Sequence, residues 1–335
     1  MPESFNIAFL STAHIHTRAF LENLAATDDG RRAHTIWDDV PDRGRRYAGD
    51  SGARFVEDLD AVLEDPGIHG FVICAENTRH RPLLEKAIPT GKPVFCEKPL
   101  VTDPADLATL SKLLETHPTP VISGYFQPFS AEMQAASELV GEGAFGTVTR
   151  ARFRNAHHAA YARWFDNPDL AWFHDPALSG GGAFMDMGTH AVHLLRTFFG
   201  PVSKVWAMIG NEAGVYPEVD DFGTAHLLFE SGVRATVEAA WTQTGGIGGL
   251  EITGSEKSLW HNGTHYVVGK PGERPEALVP SRERPTRIDR LIALVRGEIS
   301  EAEWRADLKA CMDAVSIMTA AYRSSESGSW VTVDG

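Results

Sequence analysis

The stretch IAFLSTAHIHTRAFLENL, residues 7–24, determines how the beginning of the chain folds. Residues 6–10 form a short apolar run typical of a buried strand, and the apolar positions Phe20, Leu21 and Leu24 recur with the spacing of a helix. The six residues 11–16, STAHIH, join the two segments. The stretch therefore predicts a strand, a turn and a helix, which together form the first unit of a parallel α/β sheet.

The same alternation continues through the first third of the chain. We predict further strands at residues 33–37, 55, 70–75, 93–96 and 120–124, and helices at residues 17–26, 41–49, 59–63, 80–87 and 104–115. Strands separated by helical segments indicate βαβ units and a parallel sheet. Ligands of such sheets bind beyond the carboxyl ends of the strands, which here fall at residues 11–16, 38, 75–80 and 97–99.

The pattern changes after about residue 147. Alternating apolar runs predict strands at residues 148–153, 202–209, 222–229, 233–241, 250–253, 258–261 and 265–268, with helices at 129–140, 191–199 and 301–323. We therefore predict two domains: a dinucleotide-binding α/β domain over residues 1–124, and an α+β domain with a large, open, mostly antiparallel sheet over residues 125–335. An open sheet face usually needs a partner, so we expect a homo-oligomer, a dimer or tetramer, formed through this sheet.

Composition excludes several classes of partner. The net charge is −14 in 335 residues, which disfavours nucleic acid and anionic membrane surfaces. No apolar stretch reaches 18 residues, and the N-terminus has no basic segment, so we expect neither a membrane span nor a signal peptide. The three cysteines are far apart, and Cys74 and Cys96 lie in apolar runs. We therefore expect buried free thiols and a cytoplasmic protein.

Five strings in order point to one family. GKPVFCEKPL (91–100) resembles the G-K-x-V-x-x-E-K-P signature of the Gfo/Idh/MocA family, named for glucose–fructose oxidoreductase and inositol dehydrogenase. GGGAFMDMGTH (180–190) resembles the GGG-x-x-x-D-x-G-x-H segment of that family. The strings GYFQP (124–128), GAFGTV (143–148) and AYRSSESG (321–328) match in kind and order. The resemblance covers nearly the whole chain.

The resemblance implies a Rossmann domain, a second domain with an open sheet, and NAD(P)-dependent oxidation or reduction of a sugar or polyol hydroxyl. It implies Lys98, Asp186 and His190 as the catalytic residues. The chemistry agrees, because histidine can accept the hydroxyl proton and lysine can stabilise the developing alkoxide. We assign His190 as base, Lys98 as electrophile and Asp186 as the orienter of substrate hydroxyls. The reversed assignment of Lys98 and His190 stays open, as do a capping role for Asp186 and a packing role for His190.

The turn after the first strand lacks the three glycines of a dinucleotide site, which are replaced by Ser11, Ala13 and His16. A helix N-terminus still offers unpaired N–H groups to a pyrophosphate. We therefore predict that the whole turn binds the cofactor: Ser11, Thr12, Ala13, His14, Ile15 and His16. Asp38 ends the second strand, where a carboxylate can hold an adenosine ribose, so NAD is favoured. The neighbouring Asp39 and three nearby arginines keep NADP possible, and Asp38 as a simple turn residue is the alternative.

Further site residues come from the same strings and strand ends. Asn77, His80, Glu97 and Lys98 are predicted to contact the cofactor, and a capping or packing role is the alternative for His80. Gln127, His157 and Trp172, with Asp186 and His190, are predicted to contact the substrate, and interdomain packing is the alternative for Trp172. A metal site could draw on His157, His158, Asp186, His190 and His193, but their spacing fixes no second ligand pair, so we predict no metal.

We thus predict an NAD(P)-dependent dehydrogenase or reductase acting on a sugar, cyclic polyol or sugar derivative. Two alternatives stay open. One is a redox-neutral glycosidase or lyase of the same family that keeps NAD bound. The other is a sugar-binding or regulatory relative without cofactor, which the glycine-poor turn motivates.

Overall fold

The computed structural model describes residues 4–333, and its first sheet contains six strands. These are β1 (Phe5–Leu10), β2 (Arg31–Trp37), β3 (Arg54–Phe55), β4 (Gly70–Ile73), β5 (Val94–Cys96) and β6 (Val121–Ser123). Their order is β3-β2-β1-β4-β5-β6, and every pairing is parallel. The predicted parallel sheet is therefore confirmed. The strand order reverses between β1 and β4, and such a reversal opens a crevice at the carboxyl ends of the strands.

Five α-helices connect the strands of this sheet. They are α1 (Thr17–Ala26), α2 (Pro41–Ser51), α3 (Leu59–Glu64), α4 (His80–Ala87) and α5 (Pro104–Thr116). Helix α1 forms where the apolar spacing predicted it, and it buries Phe20, Leu21 and Leu24. Helix α5 begins at Pro104, and the Asp103 side chain caps it by accepting from the backbone of Ala105. All five helices lie within a few residues of the predicted ranges.

The second sheet has nine strands. They are β7 (Val148–Ala156), β8 (Val202–Gly210), β9 (Phe222–Phe229), β10 (Arg234–Ala240), β11 (Gly249–Gly254), β12 (Ser258–His261), β13 (Tyr266–Gly269), β14 (Glu276–Ala277) and β15 (Val331–Thr332). Their order is β14-β13-β12-β11-β7-β10-β9-β8-β15. Only β7 and β10 pair in parallel, so the sheet is mostly antiparallel as predicted. The sequence analysis missed β14 and β15, because two residues are too few to show alternation.

Five more α-helices follow the first sheet. They are α6 (Ala131–Gly141), α7 (Pro176–Ser179), α8 (Thr189–Phe199), α9 (Arg287–Val295) and α10 (Glu301–Ser327). Single-turn 3₁₀ helices lie at Asn77–Arg79, Ile88–Thr90, Gln127–Phe129, Trp164–Asp166 and Ala171–His174, and a π-helical turn at Phe184–Gly188 leads into α8. The sequence analysis missed α9, although its apolar residues Ile288, Leu291 and Ile292 are buried.

The two C-terminal helices return to the first sheet. Helix α9 packs against β5 and α1, and α10 packs against β6 and α5 as well as against α8 and β8. The two sheets therefore share helices, and the predicted boundary between residues 124 and 125 stays a prediction. Cys74, Cys96 and Cys311 are buried and unpaired. Among the helices of residues 4–333, none combines the length and the apolar character needed to cross a bilayer.

Candidate active site

A cavity of about 260 Å³ lies at the carboxyl edge of the first sheet, where the second sheet and α8 meet it. Seven of the predicted site residues line it: His14, Ile15, His16, Lys98, His157, Asp186 and His190. The strand order places this edge at the crevice where α/β sheets bind ligands. Residues about 90 positions apart in the sequence thus meet in one small space.

Lys98 and Asp186 form an ion pair in the wall of the cavity. The Lys98 side chain, just beyond β5, is 3% exposed, and its Nζ contacts the Asp186 carboxylate and lies 3.2 Å from the Asp186 carbonyl. The indole Nε1 of Trp241 donates to Oδ2 of the same carboxylate at 2.9 Å. Burial alone would raise the pKa of Asp186, but the Lys98 ammonium holds it well below its usual value. Asp186 is therefore ionised, and it does not cap the helix.

The glycine string before Asp186 is required by close packing. A Cβ on Gly182 would collide with the backbone of Asp220. The Asp220 carboxylate accepts from the backbone N–H groups of Gly182 at 2.9 Å and Phe184 at 2.6 Å. These bonds hold the start of the π-helical turn Phe184–Gly188, and that turn projects Asp186 into the cavity. A wider turn of this kind is frequent at functional sites.

His190 lies one helical turn beyond Asp186, at the start of α8. Its side chain meets the ring edges of Tyr125 and Phe126, with centroids 5.6 and 5.5 Å away. Its Nδ1 is buried and has no hydrogen-bond partner among residues 4–333. Burial lowers the pKa of His190 well below its usual value, and the Lys98 ammonium lowers it further. The imidazole is therefore neutral and able to accept a proton.

The turn of residues 11–16 follows β1 as predicted. Ser11 has a φ of +70°, a left-handed conformation that glycine would adopt with less strain. Ala13 is buried, and its carbonyl accepts from the Trp172 indole at 3.1 Å. His16 precedes α1 without a side-chain cap. The Thr17 N–H donates to the His14 carbonyl at 3.0 Å, so it is the following N–H groups of the first turn, those of Arg18 and Ala19, that face an anion without a cap.

Asp38 ends β2, but other residues of the chain already use its carboxylate. Its oxygens accept from the backbone N–H of Thr12 at 2.8 Å, from that of Val40 at 2.8 Å, and from the Arg43 guanidinium at 2.8 Å. Arg43 also contacts Glu76 at 3.3 Å. A ribose diol would therefore have to replace one of these donors, so the predicted ribose contact stays a prediction.

Several predicted residues lie behind the cavity wall. His80 is buried with both ring nitrogens near backbone carbonyls, Nδ1 at 2.8 Å from Pro99 and Nε2 at 3.1 Å from Ala75, which favours the packing alternative. Asn77 donates to the Ser179 carbonyl at 2.8 Å. Glu97 is fully buried, and its Oε2 accepts from the Lys98 backbone N–H at 3.1 Å. A Cβ at Gly124 would collide with this carboxylate, which explains the glycine there.

Two predicted substrate residues lie outside the cavity lining. Gln127 has a buried Oε1 without a partner among the described residues, but it does not border the cavity. Trp172 is 5% exposed, stacks on Phe173 with centroids 3.9 Å apart, and lies 5.9 Å from the His14 ring. Its indole joins the turn after β1 to the second domain, which favours the packing alternative.

Seven residues of the lining are not among the site residues assigned from the sequence: Phe126, Asn155, Trp164, Phe165, Phe173, Met187 and Arg287. Arg287 lies over the Phe126 ring, with its guanidinium 4.1 Å from the centroid. No motif surrounds Arg287 in the sequence, so only the fold could identify it. Trp164 stands beside His157, with ring centroids 5.0 Å apart. Trp164 and Phe173 belong to the aromatic-rich run before the three glycines, which predicts rings that stack on a sugar, with packing between the domains as the alternative.

The chain is similar to known proteins in both sequence and structure. The model of the oxidoreductase family with an NAD-binding Rossmann fold, GFO/IDH/MocA, matches residues 5–125, and the GFO/IDH/MocA C-terminal domain matches residues 133–260. A 1,5-anhydro-D-fructose reductase of Ensifer adhaerens is 28% identical over 233 residues, 69% of this chain and 67% of that protein. A scyllo-inositol 2-dehydrogenase (NAD⁺) of Bacillus subtilis is 25% identical over 246 residues, 71% and 68% of the two chains.

A solved structure has the same fold over its full length. An inositol dehydrogenase homolog from Azotobacter vinelandii, complexed with NAD⁺, superposes with a TM-score of 0.83 at 18% identity. The alignment covers 98% of this chain and 97% of that one. The arrangement of both sheets is therefore shared with that protein.

Proposed function

The chain belongs to the GFO/IDH/MocA oxidoreductase family, and from that premise we propose that it transfers a hydride between a nicotinamide cofactor and a hydroxyl or keto carbon of a sugar, cyclic polyol or sugar derivative. The observation that supports this most directly is the convergence of Lys98, Asp186 and His190 on one cavity at the carboxyl edge of the first sheet. The relatives named for anhydrofructose and inositol support the substrate class.

The donor set of this chain fits a dinucleotide. The uncapped start of α1 presents N–H groups and a positive dipole end, which suit a pyrophosphate. Glu97 and Lys98 follow β5 at the same edge, where the bound nicotinamide would supply or accept the hydride. We propose NAD rather than NADP, because the three carboxylates of Asp38, Asp39 and Glu76 outnumber the two arginines that pair with them, Arg43 and Arg79, and the net negative charge disfavours a 2′-phosphate.

We assign proton transfer to His190 and charge stabilisation to Lys98. The neutral imidazole of His190 is the group we assign to accept the hydroxyl proton during oxidation. The Lys98 ammonium stabilises charge that develops on the same oxygen. Asp186 and the Trp241 indole hold the ammonium in place, so Lys98 is engaged as a cation and His190 is the better base of the two.

The cavity limits the size of the substrate. Its volume of about 260 Å³ is slightly below the roughly 300–1,000 Å³ of sites for drug-sized ligands. We infer a single sugar or inositol ring rather than an oligosaccharide. The cavity wall is rich in aromatic rings, which suit the apolar face of a sugar ring.

Self-association and location complete the proposal. The outer face of the second sheet has a groove of about 990 Å³ along β7, β9 and β10, and we infer that a second copy of the chain covers it. We also infer a cytoplasmic location, because three buried, unpaired thiols suit a reducing compartment.

A substrate and cofactor screen tests the function. The purified chain is incubated with sugars and inositols and with NAD or NADP, while nicotinamide reduction is followed by absorbance and nucleotide binding by calorimetry. Lys98→Ala should lower turnover at least about a hundredfold and leave NAD affinity nearly unchanged. Lys309→Ala, on the exposed face of α10, is the matched control. Undiminished turnover in Lys98→Ala would exclude the assigned role.

The same measurements separate the alternatives. NAD that survives purification without net formation of NADH during turnover would favour a redox-neutral glycosidase or lyase. Absence of nucleotide binding would favour a sugar-binding relative without cofactor.

A further inference from the structure

We propose that His14, His16 and Glu97 bind a divalent transition-metal ion, Zn²⁺ or Fe²⁺, in the wall of the active-site cavity. The two histidines flank Ile15 in the turn after β1, and Glu97 follows β5. One ligand atom from each of the three side chains lies within 4.8 Å of the other two. Two imidazoles and one carboxylate with open positions form a donor set used by catalytic zinc and by non-haem iron.

The donor separations are close to those of a bound metal. Oε1 of Glu97 lies 3.0 Å from Nδ1 of His16 and 3.8 Å from Nδ1 of His14. Bonds of about 2.0–2.1 Å to zinc would place neighbouring donors roughly 2.9–3.3 Å apart. The His16–Glu97 pair already has this spacing, and His14 has to approach by about half an ångström. Within residues 4–333, the hydrogen bond at Nδ1 of His14 comes from the His16 backbone N–H at 3.3 Å, and so long a bond is easily replaced.

Burial and charge at the three side chains favour a cation. The Glu97 side chain is fully buried, and within the described chain its only ionic contacts are with the two histidines. The neighbouring ammonium of Lys98 is engaged by Asp186. A buried carboxylate without a lysine or arginine partner gains from a divalent ion.

Few polar groups outside the cluster contact the three side chains. Nε2 of His14 is buried and has no hydrogen-bond partner among residues 4–333. The backbone N–H of Lys98 engages Oε2 of Glu97, whereas Oε1 faces the two imidazoles and forms a hydrogen bond with Nδ1 of His16, which a bound ion would replace. Both histidines line the cavity, so a bound ion would keep open positions on the side of Lys98 and His190.

The proposal does not depend on hydride transfer, because metal binding can be measured without nucleotide or substrate. The full-length chain is freed of metal with a chelator and titrated with Co²⁺, a spectroscopic substitute, while its visible d–d absorption is recorded. Zn²⁺ is titrated by calorimetry in parallel. We expect one ion per chain for both metals.

Variants identify the ligands. His16→Ala should weaken metal binding by more than the roughly 10–100-fold that is lost when a residue behind a metal ligand is replaced. The His16 side chain is 31% exposed, so its removal should leave the fold intact. Glu97→Gln should have a similar effect, and circular dichroism checks that both variants fold. The exposed His158, which follows the lining residue His157, provides the matched control as His158→Ala.

Three results would overturn the proposal. Absence of saturable Co²⁺ binding by the unmodified chain would exclude the site. Unchanged affinity in folded His16→Ala would indicate an adventitious ion only. Loss of binding in His157→Ala together with unchanged binding in His16→Ala would place the ion on the opposite wall of the cavity.

Discussion

Replacing Asp186 with Asn should lower the free energy of unfolding by about 3 kcal/mol, because it leaves one member of a buried ion pair without its partner. The Lys98 side chain is 3% exposed and that of Asp186 is 15% exposed, so water can compensate little of the lost charge. An asparagine keeps one acceptor oxygen, which serves either the Lys98 ammonium or the Trp241 indole. Its amide N–H₂ faces the other donor, so one strong hydrogen bond is lost as well.

The two halves of the pair should not act independently. Lys98→Met leaves the Asp186 carboxylate with the Trp241 indole alone, and we expect a similar loss of stability. The double variant removes both charges, and whole buried pairs can be replaced by apolar groups at little cost. The double variant should therefore be at least as stable as either single variant, which corresponds to a coupling of at least about 3 kcal/mol.

Urea unfolding measures this cycle. Tryptophan fluorescence and circular dichroism are recorded together, since two domains need not unfold in one step. The exposed pair Arg305–Glu301 on α10, at an i,i+4 spacing, is the matched control, and its own cycle should give only about 0.3–0.5 kcal/mol. Losses for Lys98→Met and Asp186→Asn that add within about 0.5 kcal/mol would refute a coupled buried pair.

Asp38→Ala should weaken NAD binding more than NADP binding, as calorimetry would show; equal weakening would mean that the carboxylate serves only Arg43 and the turn. Burial lowers the pKa of His193 to about 3, so the fold loses stability as the pH falls from 6.5 towards that value, by about 2 kcal/mol between pH 7 and pH 5. His193→Asn should reduce this difference in urea unfolding, and an unchanged pH dependence would assign it to other groups. Leu228→Asp, in the groove of the second sheet, should shift the mass measured by light scattering towards the monomer; an unchanged mass would place any self-association elsewhere.

The strands of both sheets could be predicted because their signal is local. A few consecutive residues are enough to predict a buried strand from an apolar run such as GFVICA (70–75), or a strand with one buried face from an alternating run such as residues 222–229. Helix α9 has an equally clear apolar face, but it follows a proline-rich stretch without motifs, and it was overlooked. The strands β14 and β15 are two residues long and follow from pairing with neighbours that only the fold supplies.

The members of the candidate site could be named in advance, but their contacts could not. Lys98 and Asp186 stood out through their motifs, yet the Trp241 indole that also binds Asp186 comes from a strand end 55 residues further on, where no motif marks it. Likewise, Asp38 was expected to be free for a ribose, whereas Arg43 folds back onto it. Hydrogen-bond partners depend on the distances between elements, and the local sequence does not contain that information.

The turn after β1 meets the backbone requirement of a dinucleotide-binding turn without the glycines of the motif. The first glycine of a dinucleotide turn allows a left-handed backbone, and Ser11 adopts one at φ +70°. The third glycine is needed where a side chain would be caught between helix and strand. His16 instead directs its ring to Glu97, with Nδ1 and Oε1 3.0 Å apart, and stays 31% exposed, so α1 still packs on the sheet through Phe20 and Leu21. The place of the third glycine is therefore free for a side chain that reaches the cavity.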